Sequence, residues 1–236
     1  ILPSTGLQFR FLEDFAAPYR PAAEYSGGGR QGGVVTLNDF NLSARPSYTS
    51  DALAMHEGIP GHHLQVALAS ENGALPQFRR YGGETAFTEG WGLYAEGLGE
   101  DLGLYADPYQ KFGALDFDAW RSARLVTDTG LHWLSWTREQ AIAFLMAHTT
   151  LSQTEAAEEI ERYIAIPGQA LAYKTGERMF LSLREKARAT LGGRFDMRRF
   201  HDALLSDGAM PLPVLEAKME RWIARQSTIP AKRPPS

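Results

Sequence analysis

The 236-residue sequence contains no cysteine. That absence excludes disulfides, thiolate zinc sites, iron–sulfur clusters and cysteine nucleophiles together. It leaves the compartment open between cytoplasm and export. A basic excess is also missing, with 24 Lys and Arg against 28 Asp and Glu, a formal charge of −4 and a pI near 5.9. Nucleic-acid binding leaves a basic footprint, so no nucleic acid is expected as a partner. No apolar run approaches the roughly 18 residues of a membrane span. No charged-then-apolar leader opens the chain, which begins at Ile1; a processed product or a fragment is expected. Histidine is scarce as well, yet three of the six, His56, His62 and His63, are crowded together. What is present is ordinary for a globular protein, 44% hydrophobic and 22% charged, and long enough to bury a substantial core.

Punctuation and periodicity predict a predominantly α chain. A short helix is expected around Leu7 to Phe15, a flexible loop over Ser26 to Gly33, and one strand over Val34 to Leu37, β-branched and bounded by glycine and Asn38-Asp39. A helix from about Thr49 is interrupted at Pro60-Gly61 and resumes from Leu64 to Ser70. Further helices are expected over 84–98, 118–136, 137–147, 152–164, 169–191, 196–205 and 212–225, the 152–164 helix opening on a Ser-x-x-Glu capping box. Trp120, Ala123, Leu131 and Leu134 are the expected inward positions of the 118–136 helix, and Trp120, Trp133 and Trp136 are read as core. Residues 1–228 are read as one helical domain and 229–236, rich in Pro, Lys and Arg, as a disordered tail.

The histidines lie in Met55-His56-Glu57-Gly58-Ile59-Pro60-Gly61-His62-His63-Leu64-Gln65. A zinc-peptidase helix carries His-Glu-x-x-His, in which the two histidines stand about 40° apart and share one ion. Here the spacing is longer. In a regular helix His62 lies about 120° away from His56, and His63 returns to its face but about 10 Å along the axis, too far for bonds of ~2.1 Å. The motif therefore needs an irregular helix. Pro60 removes a backbone donor and Gly61 tolerates unusual dihedrals, so a bulge over Gly58–Gly61 could bring His62 back beside His56. Glu57 would then be the base. A third ligand is expected from Glu84 to Glu96, where Glu89 and Glu96 share a face and Gly90, Gly92 and Gly97 let another backbone or a substrate approach.

Two further stretches complete a pattern: Glu89-Gly90-Trp91-Gly92-Leu93-Tyr94-Ala95-Glu96, and Arg162 to Gly176 with its own Pro167-Gly168. Together with the histidine segment they resemble bacterial domain-of-unknown-function family 885, whose hallmark is His-Glu-x-x-Pro-Gly-His-His-Leu-Gln followed by Glu-Gly-Trp-x-x-Tyr-x-Glu. The resemblance implies a mainly α, helical zinc-peptidase-like fold, akin to the gluzincins that include angiotensin-converting enzyme, with a short edge strand or small sheet above the metal. Val34–Leu37 suits that strand. In such proteins a Gly-His pair carries the second ligand, favouring His62 over His63, and the next helix carries the carboxylate, favouring Glu89. Family members are far longer, so this chain resembles a C-terminal part whose partner is a missing N-terminal half or a second polypeptide.

The resulting expectation is a hydrolase that cleaves peptide bonds, a carboxypeptidase in its narrower form. One Zn2+ would be held by His56, His62 and Glu89, with Glu57 as general base and Tyr173, ahead of Tyr163, donating to the oxyanion. His63, Arg121, Arg124, His132, Arg162 and Lys174 are candidate contacts for a peptide or small amide substrate; the polar stripe Arg121, Arg124, Asp128 and His132 is either cleft lining or a wet face. The competing expectations are a non-catalytic metal- or peptide-binding module and a zinc amidohydrolase acting on a non-peptide amide.

Overall fold

Leu7-Gln-Phe-Arg-Phe11 alternates apolar and polar residues with a period of two, which suits a strand and not a helix. In the computed structural model it forms β1 (Leu7–Phe11), so the expected helix there is replaced by a strand. The structure describes residues 1–228 except 14, 16, 18–19, 28–31 and 43–44; the tail from 229 and the centre of the glycine loop lie outside the described residues. β2 (Ala23–Gly27) and β3 (Gly33–Leu37) complete a small sheet of order β1-β3-β2. β1 runs parallel to β3, with Leu7 opposite Gly33, and β2 runs antiparallel, with Ala23 opposite Leu37. Val34–Leu37 is thus a strand as read, but it is the central one; β2 is the edge strand that faces the histidines.

The rest is mainly helical. α1 (Ser50–Glu57) and α2 (His62–Glu71) flank the Pro60-Gly61 break, a short α3 (Gln77–Tyr81) follows, and α4 (Thr85–Glu96) carries the glutamates. α5 (Pro108–His132) starts well before the expected Asp118, because Asp107 accepts the Tyr109 N–H at 2.9 Å and Pro108 is preset for a first helical position. It also stops before Trp136. Trp133 and Leu134 are 83% and 57% exposed, so neither has the core role expected of it, whereas Trp120, Leu131 and Trp136 pack against Ala141, Leu145 and Ile160. α6 (Arg138–His148) and α7 (Gln153–Ala165) each open on a capping box, Thr137 with Gln140 and Ser152 with Glu155. α8 (Gln169–Leu191) begins after Gly168, whose φ of 83° favours glycine; α9 (Met197–Leu205) and α10 (Leu212–Thr228) close the chain.

The main core joins Phe87, Trp91 and Tyr94 of α4 to Phe180 and Leu183 of α8, with Leu204 and Leu215 beneath. α4 and α8 approach backbone to backbone. A Cβ on Gly176 would lie 1.8 Å from the Ala86 carbonyl oxygen, and one on Gly90 would lie 2.4 Å from Gly176 Cα. This contact fixes α4, and with it Glu89 and Glu96, on the largest apolar cluster.

Candidate metal centre

α1 ends at Glu57 and α2 begins at His62, so four residues leave the helix and the 120° offset of a continuous helix disappears. The Ile59–Pro60 bond is cis. Gly61 lies so close to the end of α1 that a Cβ would fall 1.9 Å from the His56 carbonyl oxygen. Trp91 of α4 ties the break down by donating its Nε1–H to the Pro60 carbonyl at 2.8 Å. The outcome is that the His56 and His62 rings meet edge to face, centroids 4.6 Å apart.

Glu89 faces both. Its Oε2 is 3.5 Å from Nε2 of His56 and 3.5 Å from Nε2 of His62, and the three ligand atoms lie within 4.8 Å of one another. Donors around a tetrahedral zinc at ~2.1 Å stand about 3.4 Å apart, which the two Glu89–imidazole separations match. Two imidazoles and one carboxylate, with no thiolate available, are also the donor chemistry of catalytic zinc sites.

Glu96 supplies what the sequence reading missed. Its Oε1 lies 2.7 Å from Nδ1 of His56, which directs Nε2 toward Glu89. The signal was present, since Glu96 follows Glu89 by two helical turns, but which imidazole nitrogen it reaches depends on tertiary placement. Gly92 lies beneath that ring: a Cβ there would be 2.6 Å from it. Burial lowers the His56 pKa, but the Glu89 and Glu96 carboxylates outweigh it and push it up to about 10. Burial raises the Glu89 pKa, and His56 and His62 reverse this to hold it well below the carboxylate range. Metal binding would therefore displace a proton from His56. Glu57 is buried, which raises its pKa, and its Oε2 accepts the Tyr25 N–H of β2 at 2.8 Å.

The other candidates are distributed differently. Tyr173 stacks on His56, ring centroids 6.2 Å apart. Its hydroxyl accepts from Gln169 Nε2 at 3.1 Å and Arg162 Nη2 at 3.5 Å, leaving its own hydrogen to donate. Arg121 is buried against the faces of Phe117 and Trp120, with Nη2 3.8 Å from Glu96 Oε1. The remaining candidate contacts are engaged within the protein, as Arg162 is with Gln169 and Tyr173. His63 is 1% exposed and bonded to Tyr25 and to the Thr5 carbonyl. Arg124 is buried and committed to Glu159 and Tyr163. His132 donates to the Tyr163 carbonyl, and Lys174 is paired with Asp118 and Glu177. Of the stripe, Arg121, Arg124 and Asp128 are buried and His132 at its end is exposed; Asp128 accepts the Gly168 N–H at 3.0 Å. Tyr163, the other oxyanion candidate, is 1% exposed and packed in the core with Ile160 and Ala170.

Comparison with known proteins gives the setting. The profile of a family described as bacterial protein of unknown function (DUF885) matches residues 1–219. No curated protein matches. The crystal structure of a candidate lipoprotein from Colwellia psychrerythraea is similar at 39% identity and a TM-score of 0.93, covering 95% of this chain and 39% of that one. A candidate lipoprotein of unknown function from Shewanella oneidensis shares the fold at 24% identity and a TM-score of 0.75, covering 85% of this chain and again 39% of the other. The chain thus spans about two-fifths of the length of these relatives. Among the described residues, no helix is long and apolar enough to cross a membrane.

Proposed function

Because the chain belongs to DUF885, a bacterial family whose description assigns no chemistry, we propose its function from the site: a zinc-dependent hydrolase that cleaves peptide bonds. The observation that carries the reading is the convergence of His56 Nε2, His62 Nε2 and Glu89 Oε2, with the carboxylate of Glu57 beside them. A zinc ion held there supplies Lewis acidity and lowers the pKa of water to near 7.

The residues of the chain supply the rest. Glu96 orients His56 through Nδ1 and leaves Nε2 for the ion. Glu57, its Oε2 anchored on Tyr25 N–H, takes a proton from the attacking water as the oxygen adds to the carbonyl carbon. It returns that proton to the amide nitrogen as the carbon–nitrogen bond breaks, so water is consumed and an acid and an amine are released. Tyr173, carried by α8 beside His56, is the donor for the developing oxyanion.

The test is digestion of a random peptide library by the full-length protein loaded with zinc. Glu57→Gln should keep one zinc per chain and lose at least about 100-fold in turnover, the low end for a general base. Hydrolysis that survives Glu57→Gln, or no hydrolysis by zinc-loaded wild type, contradicts the reading.

A further inference from the structure

His63, adjacent to a candidate ligand, has no place in the donor set, yet it is among the most buried polar residues of the chain. Its Nε2 lies 3.2 Å from the Thr5 carbonyl oxygen, which can only accept, so Nε2 carries a hydrogen. The other nitrogen, Nδ1, lies 3.2 Å from the Tyr25 hydroxyl, which donates to it in the neutral ring. The two rings pack 5.6 Å apart. Gly33 lies beneath the pair: a Cβ there would come 2.3 Å from His63 Nδ1 and 2.7 Å from the Tyr25 ring. His63 therefore clamps the side chain of Tyr25, while the main chain of the same residue acts elsewhere. The Tyr25 N–H points away from β3 and donates to Glu57 Oε2 at 2.8 Å.

We propose that His63 is a positioning residue for Glu57, acting through Tyr25: the imidazole fixes the tyrosine ring, the ring fixes the register of β2 over the site, and the β2 amide fixes the carboxylate. The proposal rests on the hydrolase reading for its effect on turnover, but not for the linkage itself. It accounts for two adjacent histidines with different tasks, His62 facing Glu89 and His63 facing the sheet. It also accounts for the glycine opposite them in β3. A misplaced base costs rate far more than it costs substrate binding, because the error is felt where the proton moves.

Three variants of the full-length zinc-loaded protein test it. Tyr25→Phe removes the hydroxyl and nothing else; His63→Leu removes both ring nitrogens, and His63→Asn restores an acceptor near the position of Nδ1. We expect Tyr25→Phe and His63→Leu each to lower kcat about 10- to 100-fold. KM should stay within about 2-fold and zinc at one per chain, with partial rescue in His63→Asn. In a Glu57→Gln background neither change should lower the residual rate further, because both act through that carboxylate. The second readout needs no turnover: hydrogen exchange of the residue 25 amide should rise at least about 10-fold in His63→Leu, as in Glu57→Ala. Unchanged kcat in Tyr25→Phe, a loss that follows zinc content, or an additive loss in Glu57→Gln overturns the proposal. If no form of the protein turns over peptide, the hydrolase reading fails on its own, and unchanged residue 25 exchange in His63→Leu then overturns the linkage.

Discussion

Glu96 carries no direct share of the chemistry, yet it decides which nitrogen of His56 is free. Glu96→Gln should leave the helices intact and weaken zinc binding about 10- to 100-fold, measured by competition with a chromophoric chelator; unaltered affinity would remove it from the account. A half-buried imidazole away from the candidate ligands serves as a pH probe. His201 packs edge to face against Trp91 and bonds the Tyr94 hydroxyl at 2.8 Å. Burial, and then Arg184, lower its pKa to about 4. A depressed histidine favours the folded state above its unfolded pKa of about 6.5, and that contribution is lost as pH falls through about 4. Urea titrations should show up to about 3 kcal/mol lost over that window and a flatter profile in His201→Gln. That His56, Glu57 and a second histidine belong together was legible from residue types and the Pro60-Gly61 break; the choice of His62 over His63, and of Glu89, rested on the family resemblance. The tasks of Glu96 and His63 were not legible, because they depend on which ring nitrogen meets which partner after folding.

Elements explain why those side chains meet. A break between α1 and α2 was readable from Pro60 and Gly61; that Trp91 would pin it, and that Gly61 would lie against the end of α1, was not. The helices from α6 onward were legible because capping boxes, Gly168 and Gly192-Gly193 mark their ends. β1 was misread as a helix although Leu7 to Phe11 alternates with a period of two, because that alternation lasts only five residues, and α5 was begun late because its start rests on Asp107 and Pro108, outside any apolar repeat. The α4–α8 contact gives this scale its test. Gly176→Ala would gain about 1 kcal/mol of helix propensity, but its Cβ meets the Ala86 carbonyl, which cannot step aside. Overpacking should win, with a net loss of about 2 kcal/mol in denaturant unfolding and weaker zinc binding as α4 shifts. A stabilised variant would show that the two helices slide freely.

For the whole molecule, the site lies at the meeting of three bodies: the α1–α2 break, α4 held on α8, and the β2 edge. An ion bound there bridges parts remote in sequence and should stabilise the native state alone. At free zinc 100-fold above Kd the gain is about 2.7 kcal/mol, which corresponds to a rise in Tm of roughly 5–10 °C for a chain of this size, reversed by chelator. Metal analysis of purified protein tests the centre itself. We predict one zinc per chain in the wild type and in His63→Leu, and loss of that zinc in His56→Ala, His62→Ala and Glu89→Ala. A protein that takes up no zinc, or one whose zinc survives all three alanine substitutions, would contradict the metal centre on which the proposed function stands.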